Sequence, residues 1–193
     1  QSSKRKIFPI ELKSSFNNPL FYSNENITPY IEKAFGTRYV IESILAPITC
    51  PGSSMQNIHS DGGILFGKKI NYFLPPYAIG LMIALPNMNK TNGTTRIWPK
   101  SHIKRKNSKE LADDANYVDV VLENGSCLLM DTRTMHAGTP NQSNDKRVLV
   151  YITYSQPWYI NYSDFIDIPS YIMDDRNLSL VPEKDQFRFI RRN

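Results

Sequence analysis

Residues 123–154 read E-N-G-S-C-L-L-M-D-T-R-T-M-H-A-G-T-P-N-Q-S-N-D-K-R-V-L-V-Y-I-T-Y. Two short apolar segments, 127–131 and 147–154, each follow turn-forming sequence: Asn124-Gly125 before the first, and a polar connection from Gly138 to Asp145 before the second. Short apolar runs bounded by Gly and Asn are typical of antiparallel strands. We therefore predict two strands here, joined by a polar hairpin loop.

The chain after Gly36 repeats this pattern. Further short strands are predicted over 39–46, 58–66, 78–85, 95–98 and 118–122. Helical signals are few: Thr28 as N-cap, Pro29 at the first helical position and Gly36 as the stop predict one short helix, and a second is possible near 106–115. Many short strands with few helices predict a mainly-β antiparallel sandwich or barrel.

Length and composition predict one domain over residues 1–193. A chain of 193 residues with 40% hydrophobic residues can bury one sizeable core, and no repeat or linker divides it. We expect 1–38 to be an N-terminal segment with a short helix, 39–156 to be the β core, and 157–193 to pack outside that core.

Charge and cysteine usage exclude several classes of protein. The net charge of +5 is mildly basic, and we interpret the basic clusters at 4–6, 104–106 and 188–192 as solvated tails and a loop, so no nucleic-acid partner is expected. No apolar run approaches the roughly 20 residues of a membrane span, and the given N-terminus has no signal-peptide pattern, which predicts a cytoplasmic protein. Cys50 and Cys127 lack metal or redox spacing and are expected to be free core thiols.

Candidate metal ligands occur at two places. His59-Ser60-Asp61 is an H-x-D sequence, and residues i and i+2 of a strand point to the same face, so both side chains would enter one cavity. His136 follows the strand 127–131 and could supply a third ligand. Two histidines and one carboxylate form the facial triad of non-haem Fe(II) oxygenases, which leaves positions open for a bidentate cosubstrate and O₂. The alternative for H-x-D alone is a surface histidine beside a turn aspartate.

Arg147 begins the last predicted strand, eleven residues after His136. An arginine inside a barrel is costly unless an anion pairs with it, and a carboxylate matches the planar guanidinium. The distal carboxylate of 2-oxoglutarate fits this role. The alternative is that Arg147 is a strand-edge residue in an exposed pair with Lys146.

Four ordered segments resemble the phytanoyl-CoA dioxygenase-like (PhyH) family of Fe(II)/2-oxoglutarate-dependent oxygenases, over about residues 39–159. They are P-G-S-S-M-Q-N-I-H-S-D-G (51–62), N-G-T-T-R-I-W-P-K-S-H (92–102), residues 123–143 of the stretch quoted above, and R-V-L-V-Y-I-T-Y (147–154) with Q-P-W-Y behind it. The resemblance implies a double-stranded β-helix, that is, a cupin-like jelly-roll with a few flanking helices. It also implies Fe(II) and 2-oxoglutarate at one mouth of the barrel.

The same resemblance implies roles for individual residues. His59, Asp61 and His136 match the iron ligands, and Arg147 matches the residue that holds the far carboxylate of the cosubstrate. These four residues form the expected catalytic centre.

Weaker matches concern the walls of the site. The resemblance suggests that Gln56 and Tyr77 border the cosubstrate. Ser60 and Trp98 are further candidates to line the substrate pocket. The ordinary alternatives are that Gln56 and Tyr77 belong to the barrel wall and that Trp98 fills the core. His102 closes a turn that the family also has and is expected to be structural.

Two features depart from the family pattern. Lys100 stands where the family usually has Gly in its Pro-Gly-Ser-His turn. The family also carries a longer helical region that helps to cover the site, whereas 58 residues precede His59 in this sequence.

The predicted function is a dioxygenase that hydroxylates a small organic substrate, with succinate and CO₂ as co-products. Because Asp61 is present, hydroxylation is favoured over halogenation, whose enzymes lack the carboxylate ligand. Two alternatives stay open: a catalytically degenerate jelly-roll binding module, and a nucleic-acid or protein demethylase-type oxygenase. Thr153 argues against the AlkB-like form of the second alternative, which has an arginine six residues after the position of Arg147. The expected assembly is a monomer or a homodimer.

Overall fold

The computed structural model describes residues 4–63, 65–66, 74–104, 106–161 and 168–191. Its strands are β1 (Arg5–Pro9), β2 (Val40–Thr49), β3 (Ala78–Ala84), β4 (Thr95–Ile97), β5 (Val118–Val120), β6 (Cys127–Asp131), β7 (His136–Gly138) and β8 (Arg147–Ser155). They pair antiparallel in two sheets, with the order β1-β2-β8-β3-β6 in the larger and β5-β4-β7 in the smaller. The prediction of a mainly-β antiparallel fold is confirmed.

The helices are short. They are α1 (Pro19–Tyr22), α2 (Thr28–Phe35), α3 (Ser101–Lys104), α4 (Ser108–Leu111), α5 (Asp175–Ser179) and α6 (Glu183–Gln186), with 3-10 turns at Ser14–Phe16 and Phe187–Phe189. Thr28 is the first residue of α2 and not its N-cap, while Gly36 ends the helix as predicted with a φ of 76°. The helix considered near 106–115 is a single turn, α4, which begins with a capping box between Asn107 and Glu110.

The larger sheet separates a core from a cavity by the alternation of its side chains. Along β8, Val150, Ile152 and Tyr154 belong to the main hydrophobic cluster, which also contains residues of α2 and of the C-terminal segment. The residues between them point the other way and line a cavity between the two sheets. The cavity-lining residues of β8 are Arg147, Leu149, Tyr151 and Thr153.

The predicted strand over 58–66 does not form in the described residues. His59 makes a single antiparallel bridge to His136, bends follow at 61–62, and residue 64 lies outside the described part of the chain. The H-x-D sequence is therefore carried by a loop, which forms one bridge to β7 at His59 and bends at Asp61 and Gly62.

The basic ends of the chain are not solvated tails, contrary to the prediction. Arg5 lies in β1, an unpredicted edge strand. Arg188 is buried and bonds Asp185 at 3.0 Å, and Arg191 bonds Glu42 at 3.0 Å. Position 192 lies outside the described residues, as does position 105 of the middle cluster, in which Lys106 pairs with Asp114. Arg5 and Arg191 instead bond to β2, through Thr49 and Glu42 respectively.

The expectation of two core thiols was wrong for Cys127. Both cysteines are free, but Cys127 is exposed and Cys50 is partly buried. Cys127 is the first residue of β6, an edge strand, so its side chain lies at a corner of the sheet. Among the described residues, none of the helices has the length and apolar composition needed to cross a bilayer.

Candidate metal centre

Backbone pairing brings the two histidines of the candidate centre together. The His59 N–H donates to the His136 carbonyl at 3.0 Å, and the His136 N–H donates to the His59 carbonyl at 2.7 Å. Such a reciprocal antiparallel pair puts both side chains on the same face. The two imidazole rings are 4.4 Å apart between centroids.

Asp61 completes a cluster of three metal-binding groups. Its Oδ1 lies 3.7 Å from His59 Nε2 and 3.5 Å from His136 Nε2. One ligand atom from each of the three residues lies within 4.8 Å of the others. The convergence predicted from the H-x-D spacing is thus present, although a loop produces it and not a strand.

Hydrogen bonds on the far side of each ring fix the histidine tautomers. His59 Nδ1 lies 2.8 Å from the Asn57 carbonyl, and His136 Nδ1 lies 2.9 Å from the Thr134 carbonyl. A carbonyl oxygen only accepts, so each Nδ1 must carry the proton. Each Nε2 then has its lone pair directed away from these carbonyls and available to a metal, which is the arrangement expected of histidine ligands.

Tyr151 orients the carboxylate. Its hydroxyl donates to Asp61 Oδ2 at 2.6 Å, which leaves Oδ1 facing the two imidazoles. The ring of Tyr151 lies over Gly80 of β3, where an added Cβ would overlap the tyrosine ring and hydroxyl. A glycine at this position therefore makes room for the group that holds Asp61.

The cluster lies in a cavity of about 410 Å³ between the sheets. This volume is within the usual range for small-molecule sites. Arg147 is at one end of β8 and Tyr151 is four residues along the same strand, a distance of roughly 13 Å at about 3.3 Å per residue. The cavity thus extends from a cationic end, past the metal-binding groups, towards Thr153 and Asn161.

Arg147 is the buried cation of this cavity and is only 4% exposed. Its Nη1 donates to the carbonyls of Gly93 and Thr94 at 2.8 and 3.1 Å, and its Nη2 donates to Thr49 Oγ1 at 2.9 Å. Its Nε is buried and has no partner. Burial, followed by the nearby charge of Arg5, lowers the pKa of Arg147 to about 10. The exposed strand-edge alternative for Arg147 is wrong.

Gln56 also lines the cavity. Its Oε1 accepts a hydrogen bond from the Gly138 N–H at 2.7 Å, and its own N–H donates to the Gly138 carbonyl at 2.9 Å. These contacts fix the side-chain oxygen and leave the amide Nε2 as a donor.

Three other predicted site residues are not among the described residues that line the cavity. Tyr77 is buried and donates its hydroxyl to the Gly63 carbonyl, so it supports the loop after Asp61. Ser60 donates its hydroxyl to the Gly62 carbonyl at 3.2 Å within the same loop. Trp98 fills a hydrophobic cluster and donates Nε1–H to the Asp114 carbonyl at 3.0 Å, so its core alternative holds.

The turn near His102 is structural. The His102 ring contacts the Thr134 hydroxyl at 3.1 Å and lies outside the metal-binding cluster. Lys100 has a φ of 65°, the left-handed backbone conformation that favours glycine. This geometry explains why a Gly is usual at that position of the family pattern.

The sequence prediction missed Arg5, Thr49 and Tyr151, all of which line the cavity. Tyr151 could have been found, because it lies four residues after Arg147 on a strand and therefore shares its face. No pattern pointed to Arg5, since it sits in a run of basic residues at the start of the chain.

Comparison with characterised proteins gives relatives among fungal dioxygenases. The dioxygenase peniF of Penicillium patulum is 25% identical over 163 residues, which are 74% of this chain and 51% of the relative. The dioxygenase cnsJ of Penicillium expansum is 30% identical over 114 residues, 55% of this chain and 34% of the relative. The chain spans about half or less of the length of these relatives.

Solved structures share the fold. HygX from Streptomyces hygroscopicus, whose structure contains nickel, 2-oxoglutarate and hygromycin B, matches with a TM-score of 0.61 at 12% identity, covering 82% of this chain and 72% of its own. A nickel complex of the non-heme monooxygenase ThoJ matches with a TM-score of 0.60 at 24% identity, covering 79% of this chain and 58% of its own. The predicted jelly-roll architecture is confirmed by this likeness.

A sequence profile of the family described as Phytanoyl-CoA dioxygenase (PhyH) matches residues 17–149, more than half of the chain. The matched range contains the loop with His59 and Asp61, the strand with His136, and the start of β8 with Arg147. The chain therefore belongs to the phytanoyl-CoA dioxygenase (PhyH) family.

Proposed function

We propose that this protein is a non-haem Fe(II)- and 2-oxoglutarate-dependent dioxygenase that hydroxylates a small organic substrate. The observation that carries the proposal is the convergence of His59 Nε2, Asp61 Oδ1 and His136 Nε2 within one cavity that also contains the buried Arg147. Family membership and the dioxygenase relatives support the same reaction class.

The donor set fits the proposed metal. Two neutral imidazole nitrogens and one carboxylate oxygen suit Fe(II) and leave coordination positions for other ligands. Fe(II) in this site would supply the redox chemistry that couples O₂ and 2-oxoglutarate to substrate oxidation, with succinate and CO₂ as co-products. The chain contributes the fixed Nδ1–H tautomers and the Tyr151 hydrogen bond, which hold the three ligand atoms in place.

Arg147 fits the proposed cosubstrate. It is a buried guanidinium with no carboxylate partner among the described residues, and an unpaired buried charge is costly. A bound carboxylate would compensate that charge. Gln56 Nε2 is a further donor of the same cavity.

The proposed substrate is small because the cavity must hold it together with the cosubstrate. The end of the cavity beyond Tyr151 is lined by polar groups that include Thr153, Asn161 and Glu42. Glu42 is buried at an irregularity in the pairing of β2 with β8, and such bulges redirect side chains. We place the substrate at this end. Asp61 occupies the third ligand position, which favours hydroxylation over halogenation.

We also propose the predicted domain organisation, with one domain over 1–193. The main hydrophobic cluster supports it, because that cluster includes residues from Ile10 to Phe189. Within that domain, β1 extends the sheet outside the proposed jelly-roll core of 39–156.

Conversion of 2-oxoglutarate to succinate under air tests this function. We expect the wild type and His102→Ala to form succinate only when Fe(II) is added, and His136→Ala to form none while remaining folded. His102 is the matched control because it is the histidine outside the cluster. Succinate formation at the wild-type rate in His136→Ala would refute the assignment.

A further inference from the structure

Arg5, Thr49 and Arg147 form a row across three neighbouring strands. Arg5 of β1 pairs with Thr49 of β2, and Thr49 pairs with Arg147 of β8. Residues that are directly paired across strands point to the same face, and all three line the cavity. The row brings two cations to one end of the cavity from β1 and β8, which are separated in the sheet by β2.

The Thr49 hydroxyl joins the two guanidiniums. Its Oγ1 accepts from Arg147 Nη2 at 2.9 Å and from Arg5 Nη1 at 3.0 Å. A hydroxyl has two acceptor lone pairs and one donor hydrogen. Because both lone pairs are used, the Thr49 hydrogen is left for another acceptor. The row presents only donors to the cavity.

No acidic side chain among the described residues neutralises the row. Arg5 Nη2 donates to the carbonyls of Ser54, Gly138 and Thr139 at 2.7, 3.1 and 2.9 Å, and these groups carry no net charge. Burial lowers the pKa of Arg5, and no carboxylate opposes that effect. Two buried or half-buried cations around one oxygen repel each other. An anion bound between them would offset this repulsion.

The backbone leaves space for Arg5 at this end of the cavity. Position 138 on β7 is a glycine, and an added Cβ there would lie 2.7 Å from Arg5 Nη1 and 2.6 Å from Gln56 Oε1. Neither arginine nor glutamine could keep its place beside a larger residue. Residues of four strands, β1, β2, β7 and β8, therefore form the cationic end of the cavity together.

We propose that Arg5 is a second cationic contact for the far carboxylate of the cosubstrate and makes the site selective for 2-oxo dicarboxylic acids. This inference rests on the proposed function and deepens it. Arg5 precedes the region matched by the family profile, 17–149. A carboxylate at the row meets two guanidiniums and a hydroxyl donor, whereas the uncharged tail of a 2-oxo monocarboxylic acid gains little there.

The test is calorimetric titration of the full chain loaded with Ni(II), using 2-oxoglutarate and, separately, 2-oxobutanoate. Arg5→Gln is expected to weaken 2-oxoglutarate binding roughly ten- to one-hundredfold and to leave 2-oxobutanoate binding unchanged. Lys4→Gln is the matched control. It removes the same charge from an exposed neighbour that does not line the cavity, and binding of both acids should stay at the wild-type level.

Two results would overturn the inference while leaving the proposed function intact. One is wild-type affinity of Arg5→Gln for 2-oxoglutarate, and the other is an equal loss for both acids, which would mean that Arg5 only anchors β1. If Arg5→Gln does not fold, Arg5→Lys is judged by the same two criteria, with a smaller selective loss expected. A folded wild type that binds Ni(II) but not 2-oxoglutarate would overturn the proposed function, and this inference with it.

Discussion

Replacement of Tyr151 by Phe tests whether the carboxylate of the candidate centre is held in place by its neighbour. The Tyr151 hydroxyl donates to Asp61 Oδ2 at 2.6 Å, while Oδ1 lies 3.7 and 3.5 Å from the two imidazole Nε2 atoms. The variant removes one O–H group and keeps the ring that packs over Gly80. Asp61 would then be free to rotate, and divalent metal binding should weaken.

The size of the effect follows from the geometry. A 2.6 Å contact is within the range of O–H···O⁻ bonds, which are about 2.5–2.7 Å long. A hydrogen bond to a charged group contributes roughly 1.5–3 kcal/mol. Loss of a group that orients a metal ligand typically costs about 10- to 100-fold in affinity, or about 1.4–2.8 kcal/mol. The two ranges agree, so we expect a Ni(II) dissociation constant that is 10- to 100-fold higher.

The assay is calorimetric titration with Ni(II), and Tyr154→Phe is the matched control. Tyr154 lies on the same strand, on the opposite face, and its hydroxyl donates to the Tyr22 carbonyl at 3.1 Å in the main core. This control should lower the free energy of unfolding by about 1 kcal/mol and leave the Ni(II) affinity unchanged. Unchanged Ni(II) affinity in Tyr151→Phe, or an equal loss in the control, would refute the proposed role of Tyr151.

Three further substitutions test the account. Arg147→Ala should raise the 2-oxoglutarate dissociation constant by a factor on the order of 30–1000, since it removes a charge-assisted contact of about 2–4 kcal/mol. The Ni(II) affinity should not change. An unchanged 2-oxoglutarate dissociation constant would mean that another residue holds the cosubstrate. Gly80→Ala should push Tyr151 away from Asp61, weakening Ni(II) binding and lowering the free energy of unfolding by about 1–3 kcal/mol; wild-type values of both would contradict the packing described here. Lys100→Gly should raise the free energy of unfolding by about 0.5–1 kcal/mol in urea titrations, because a φ of 65° strains a residue with a Cβ. A lower free energy of unfolding would contradict the proposed backbone strain at this position.

Strand positions were predictable where side chains alternate between a hydrophobic core and an interior cavity. The segment 127–131 was predicted with the observed bounds, and 147–154 ended one residue short of β8. β1 could not be predicted in this way because two of its residues oppose the usual pattern: Arg5 is partly buried and lines the cavity, while Phe8 is 48% exposed. The pattern of polar and apolar residues does not distinguish such a strand from a solvent-exposed segment.

The grouping of His59, Asp61 and His136 was predictable from their types and spacing. The backbone conformation that brings them together was not. The prediction placed His59 and Asp61 on a strand, whereas a loop with one backbone bridge carries them. The support from Tyr151 depends on Gly80, which is 71 positions earlier in the chain. Such contacts follow from the pairing register of β3 and β8, which a single sequence does not specify.

The most direct test of the account is anaerobic titration of the protein with Fe(II) and 2-oxoglutarate, followed by visible absorption. We predict a charge-transfer band that requires both components, is retained in His102→Ala and is lost in His136→Ala. A folded wild-type protein that gives no band with both components, or a band that persists in His136→Ala, would contradict the assignment of His59, Asp61 and His136 as the metal-binding centre.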